Sequence, residues 1–344
     1  LSIVVLYVWI GRFNEATFFG LSFRGGDANT LFEEFTTYGL NTTIFYLIGG
    51  LKIISCVCLL MGLKYQKLII PAASIISILM LGALGMHLKV GDEVIFSQHA
   101  FAVYSLVTQA MGAIGVKVPA KDFAHDLAKM FAAITLKTKM IFIANPNNPT
   151  GTLISKEELN AFLSKVPSHI IVVLDEAYDE YLEIENKSEG FSWLSQFSNL
   201  IISRSFSKAY GLAGLRVGFG ASNPEIIQFM NRVRQPFNVN SLAQDAAVAA
   251  LMDDAFVSES KILNNNGKKQ LESAFRRLKL SFIPTFGNFI SFKVDNAPQV
   301  YEALLKTGII VRPVANYEMP DYLRVSIGLK EENERFIQAL EAII

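Results

Sequence analysis

The chain has 344 residues, enough for two domains and a sizeable buried core. Lys+Arg and Asp+Glu each total 31, so the formal net charge is zero, and nothing points to nucleic acid or an acidic polymer as a partner. Hydrophobic residues make up 51% and the mean hydropathy is +0.34, with the excess concentrated before residue 90. Cys56 and Cys58 lie one residue apart in an apolar run and read as small buried hydrophobes, not as a disulfide. His87, His99, His125 and His169 are scattered without metal-ligand spacing, so no metal site is expected.

The chain opens on Leu1 and reads as a fragment or a processed product. Leu1–Ile10 looks like the tail of an apolar span, and without a basic start or a small-residue cleavage site it does not read as a signal peptide. Residues 44–63 carry one charge, Lys52, and residues 68–86 carry none. Each stretch is long enough to cross a bilayer's hydrocarbon core, with KYQK (64–67) as the linker. Two membrane spans, and hence a membrane location, are expected; the alternative is a pair of buried core helices. The runs LIGGLKIISCVCLLMGLKYQKL (47–68) and GALGMHLKVGD (82–92) resemble the DoxX-like family of small membrane proteins. That resemblance implies a transmembrane segment over residues 1–90.

From Val90 onward the pattern is that of an α/β protein. VIF (94–96), MIFIA (140–144), IIVVL (170–174), LIISR (200–204) and RVGFG (216–220) are short apolar runs separated by helical stretches. Such runs predict a buried, mostly parallel sheet, here a large domain over 91–250. FISFKV (289–294), GIIVRP (308–313) and YLRVSIG (322–328) predict a smaller α+β domain over 251–344.

Three motifs follow the apolar runs. NPNNPTG (145–151) is a tight turn whose X-Pro bonds are candidates for the cis form, and it would aim the amide of Asn148. In VLDEAYDEY (173–181), Asp175 ends an apolar strand; it is either a helix N-cap or a buried carboxylate in need of a cation. A pyridinium nitrogen would be such a cation, with Tyr178 placed to donate to a neighbouring phenolate. In SFSKAYGLAGLRVGFG (205–220), Lys208 directly follows a strand, as a Schiff-base lysine must, and Ser205, Ser207 and Arg216 offer donors for a phosphate. Asn, Asp/Tyr, Lys and Arg thus recur in order at the ends of strands, where α/β sheets place ligands.

Together with GDEVIFSQHAFAVY (91–104) and RQPFNVNSLAQ (234–244), these runs resemble the fold-type-I aminotransferases dependent on pyridoxal 5′-phosphate, and most of all the histidinol-phosphate aminotransferases, over about 250 residues. The resemblance implies that Lys208 holds the coenzyme and shuttles a proton. It implies that Asp175 pairs with the pyridinium, that Tyr178 and Asn148 tune the phenolate, and that Ser205, Ser207 and Arg216 hold the phosphate. Phe101 would stack on the cofactor face. Arg324 would clamp a substrate carboxylate, and Arg312 would add a second charge for acidic or phosphate groups. The implied reaction exchanges an amino group between histidinol phosphate and 2-oxoglutarate, in histidine biosynthesis, by a homodimer; the family itself is cytoplasmic.

The family's N-terminal arm, first strand and Gly-rich phosphate loop should stand just upstream of GDEV, where the apolar run ends in MHLKV. The stretch RGGDANTLFEEF (24–35) is assigned instead to a loop of the membrane segment. The expectation is therefore a chimera joined at VGDEV (90–94), with the first strand missing. Its rivals are another aminotransferase or decarboxylase of the same fold, and a membrane protein carrying an inactive fragment.

Overall fold

The computed structural model describes residues 91–344 and, before them, Thr43 alone. The expected spans at 44–63 and 68–86 and the expected missing first strand therefore lie outside the described residues. Among the described residues, no helix is long and apolar enough to cross a membrane.

The chain runs from β1 (Glu93–Ser97) through α1 (Val103–Ala110), β2 (Ile114–Val118), α2 (Leu127–Ala132), β3 (Thr138–Ala144) and α3 (Lys156–Leu163) to β4 (Ile171–Asp175). A short α4 (Gly190–Trp193), β5 (Leu200–Ser205) and β6 (Gly218–Ser222) follow. These strands form one sheet in the order β2-β1-β3-β4-β5-β6. The five strands from β2 to β5 pair in parallel, whereas β6 is antiparallel to β5, so the sheet is mixed. All five expected runs begin within two residues of the start of a strand. The fifth, RVGFG, becomes a strand only from Gly218 onward, because Arg216 takes a left-handed conformation. Gly218 is required there: a Cβ would stand 2.7 Å from the carbonyl oxygen of Arg204 on β5.

Near-continuous apolar strands need cover on both faces. Met130 on α2 and Leu159 and Phe162 on α3 bury against Ile95, Ile141, Ile143, Val172, Leu174 and Ile202. Burying each of the larger side chains contributes roughly 1.5–3 kcal/mol. A capping box, Ser155 with Glu158, fixes where α3 starts and so where the 145–151 turn must end.

The chain continues through α5 (Pro224–Val233), α6 (Ser241–Leu251) and α7 (Asp254–Arg277), capped by Asn223, Asn240 and Asp253. A second sheet, ordered β7-β9-β8, joins β7 (Phe289–Lys293), β8 (Arg312–Pro313) and β9 (Tyr322–Ser326), all antiparallel. Helices α7, α8 (Ala297–Lys306) and α9 (Lys330–Ile343) cover it around Phe275, Phe292 and Phe336. Of GIIVRP, only Arg312 and Pro313 pair as a strand. Pro313 has no N–H to extend the ladder.

Candidate active site

Register brings the motif residues together. Ala144 on β3 lies opposite Asp175 on β4, and Asp175 lies opposite Ser203 on β5. Their C-terminal ends form one wall of a cavity of about 450 Å³, within the usual range for small-ligand sites. The other wall is the second sheet, where Arg312 and Arg324 are Cα partners on β8 and β9. Every residue expected at the site lines this cavity: Phe101, Asn148, Asp175, Tyr178, Ser205, Ser207, Lys208, Arg216, Arg312 and Arg324.

The 145–151 turn is held from both sides. Both Asn–Pro bonds, Asn145–Pro146 and Asn148–Pro149, are cis. Asn145 brackets Ile154 through its side-chain amide, and Asn147 donates to the carbonyl of His99. From the second sheet, Ser291 donates to the carbonyl of Pro149 at 2.6 Å, and the Phe286 N–H donates to the carbonyl of Gly151 at 2.8 Å. Arg324 donates to Oδ1 of Asn148. A guanidinium only donates, so this contact fixes the amide oxygen toward Arg324 and leaves the NH₂ to donate elsewhere.

Asp175 is the half-buried carboxylate of the first wall. Burial raises its pKa, opposed by hydrogen bonds from Tyr104, the Ala177 N–H and Ser203, and by the charge of Lys208. Tyr104 donates to it at 2.6 Å and stacks on Phe142, with centroids 4.6 Å apart. Burial, then the charge on Asp175, pushes the Tyr104 hydroxyl well above its ordinary value, so it stays a donor. Burial pushes Tyr178 up to about 12, against the pull of Arg324.

Among the described residues, no carboxylate pairs with Lys208, Arg216, Arg312 or Arg324. Burial, then the charges of Arg324 and Arg216, holds Lys208 below the usual lysine range, while Asp175 pulls it back. Its Nζ lies 5.4 Å from the centroid of the Tyr178 ring. Arg324 is likewise lowered, by burial first and by Arg312 in part, with Tyr178 opposing. Its guanidinium lies 4.8 Å from the centroid of the Phe289 ring, and its buried Nε–H has no hydrogen-bond partner. Like charges directly across a strand pair are destabilising. Neither arginine forms an ion pair with another described residue.

A half-buried carboxylate beside a cluster of unpaired cations fits a ligand that carries a cationic ring nitrogen at one end and anionic groups at the other. Among comparisons with known proteins, the sequence model of the family described as aminotransferase class I and II matches residues 51–340. The chain belongs to that family. The aminotransferase uses pyridoxal 5′-phosphate, and its substrates are amino acids and keto acids. It is 61% identical to a histidinol-phosphate aminotransferase of Methylobacillus flagellatus over 289 residues, 84% of this chain and 78% of that one. It is 52% identical to histidinol-phosphate aminotransferase 2 of Nitrosospira multiformis over 254 residues, 74% of this chain and 65% of that one. A crystal structure of the Sinorhizobium meliloti histidinol-phosphate aminotransferase in complex with pyridoxal-5′-phosphate superposes with a TM-score of 0.69 at 26% identity. It covers 77% of this chain and 73% of that one.

These matches overturn the membrane reading. The family match starts at residue 51 and runs through most of one expected span and all of the other. The 289 matched residues also exceed the 254 positions from 91 to 344, so aminotransferase sequence reaches upstream of the supposed junction. The transmembrane, DoxX-like and chimeric assignments therefore fall, and with them the membrane location and an aminotransferase that begins near Gly91. The physical reason is that a long uncharged run does not separate a span from the buried elements of an α/β enzyme, which are nearly as apolar.

Sequence reasoning missed three polar side chains of the cavity, Tyr104, Ser203 and Arg204. Tyr104 had a readable signal, since it stands three residues after Phe101 at the start of a helix. The two rings meet edge to face at 5.9 Å.

Proposed function

We propose that this aminotransferase moves the amino group of histidinol phosphate onto 2-oxoglutarate. The observation that carries this reading is the Arg312–Arg324 pair, two unpaired cations in register on one wall of the cavity that Lys208 lines. Such a pair suits a dianionic phosphate or a carboxylate, which bidentate guanidinium donors grip best. The relatives' names supply the substrate.

When bound, pyridoxal 5′-phosphate supplies an electron sink that makes a proton on the amine-bearing carbon removable. Lys208, whose pKa is lowered by burial and then by the charges of Arg324 and Arg216, would anchor the coenzyme and take and return that proton at Nζ. Asp175, oriented by Tyr104 and Ser203, would pair with the ring nitrogen and keep it protonated. Tyr178 and the amide hydrogens of Asn148 would donate to the phenolate oxygen. Ser205, Ser207 and Arg216 would hold the phosphate, and Phe101, which lines the same cavity, would pack on the ring. Arg312 and Arg324 orient the substrate.

A homodimer is part of the reading. Phe237 is 98% exposed and Met252 81%, with Phe229, Val233 and Leu242 exposed nearby in sequence, and a second copy would cover such apolar surface. Light scattering should give twice the chain mass, and a monomer that is fully active would refute it.

The deciding test is transamination by the coenzyme-loaded chain. Turnover of histidinol phosphate should exceed that of phenylalanine by at least about 100-fold, the discrimination expected of a paired anion site. Equal turnover, or preference for phenylalanine, overturns the substrate assignment.

A further inference from the structure

Arg204 lines the cavity, but none of its nitrogens is free to meet a ligand. Its Nε donates to Glu176 at 2.8 Å, and Nη2 also reaches Glu176 at 2.7 Å. Nη1 donates to Asp179 at 2.8 Å and to Glu180 at 3.1 Å. Those three carboxylates are almost fully buried. Lys187 adds a second cation, 3.1 Å from Asp179, and Ser188 donates to Glu176. Stability alone does not call for this arrangement, since burying one guanidinium with three carboxylates carries a desolvation penalty that hydrophobic packing would avoid. Such groups are better suited to holding one conformation among several.

The carboxylates bracket Tyr178 in sequence: Glu176 precedes it, and Asp179 and Glu180 follow. The Glu176 N–H also donates to the carbonyl of Ser203, the residue before Arg204. On the other side, Arg204 is followed by Ser205, Ser207 and Lys208, and its own carbonyl is pressed against Gly218 on β6. One side chain therefore ties the turn that presents Asp175 and Tyr178 to the strand that presents the lysine.

We infer that Arg204 is a positioning residue, which sets the Asp175–Tyr178 turn against the Ser205–Lys208 loop and so fixes where the Lys208 amine stands relative to Tyr178. The inference rests on the roles proposed above for Lys208 and Tyr178.

The test uses the full chain as wild type, Arg204→Lys, Arg204→Met, Glu180→Gln and Lys208→Ala. Arg204→Lys keeps the charge and loses the fork; Glu180→Gln loosens one arm without stranding a buried charge, and serves if the Arg204→Met chain does not fold. Amide exchange is followed first without coenzyme. In Arg204→Lys, residues 176–182 and 205–211 should both exchange at least about tenfold faster, with β1 and β3 unchanged. Faster exchange in 176–182 alone would overturn the coupling. With coenzyme, the pH midpoint of the visible band that depends on Lys208 should move in Arg204→Lys. The rate constant kcat should fall about 100-fold while KM stays within about threefold, the pattern of a displaced reacting group. A lower melting temperature with an unmoved midpoint and an unchanged kcat would reduce Arg204 to scaffold and overturn the inference. If Lys208→Ala keeps the band, the role of Lys208 fails instead, and the coenzyme-free exchange still decides whether Arg204 couples the two segments.

Discussion

The two walls of the cavity solve opposite problems. On the first wall, at the ends of β3, β4 and β5, the polar groups are already partnered: Asp175 by Tyr104, the Ala177 N–H and Ser203, and Arg204 by three carboxylates. On the second wall, Arg312 and Arg324 face each other across a strand pair with no counter-ion among the described residues, and Arg324 keeps a buried N–H unused by them. The hydrogen bonds of the first wall are in place before any ligand arrives. The second is complete only with an anion in place. The difference teaches where affinity for the coenzyme and affinity for the substrate should separate, and mutations can break or sharpen that division.

The largest effect should come from Lys208→Ala, which removes the amine from between the walls. Turnover should fall by at least about 10⁴-fold and the visible coenzyme band should vanish, read by absorption and steady-state rates. Retained turnover would mean that the division is drawn around the wrong centre.

The next effect tests what stands behind the first wall. His125 is buried, with Nε2 against the carbonyl oxygen of Ala144 at the end of β3, and burial pushes it down to about 4 from 6.5. The unfolded chain binds this proton between those two values and the folded chain does not. Stability is therefore full above pH 6.5 and lost as pH falls toward 4, by about 3 kcal/mol in all. Urea melts from pH 7 to 4 should show a shallower loss in His125→Asn than in wild type. Identical slopes would remove His125 from the account.

On the second wall, Arg324→Lys keeps the charge but loses the planar fork and the grip on Asn148. KM for the phosphate substrate should rise about 30-fold, near 2 kcal/mol, while the coenzyme dissociation constant changes little. The smallest effect should be Tyr104→Phe, which strips one donor from Asp175. A loss of about 1 kcal/mol in coenzyme binding, with KM unchanged, is expected from fluorescence titration. If both variants weakened coenzyme and substrate alike, the walls would not be separate.

How much of this could be read beforehand followed from the reach of each signal. Strand ends followed by Asn148, Asp175 and Lys208 were legible because apolar run and motif are adjacent in sequence. Strand β2 was not, because IGVKV is largely exposed and carries Gly115 and Lys117. The reversed direction of β6 was hidden too, since a period of two says nothing about orientation. The carboxylates around Arg204 lie 24 to 28 residues before it, beyond any local pattern. The segment before residue 91 misled because hydropathy was asked to name an environment, which it does not do.

The grip of the second sheet on the 145–151 turn carries a further consequence. Ser291, Phe286 and Arg324 all hold that turn, and the turn carries Asn148. The second sheet cannot swing outward without pulling on this turn. Those three hydrogen bonds act as a latch: they must break before the second wall can lift, which favours a door that moves little.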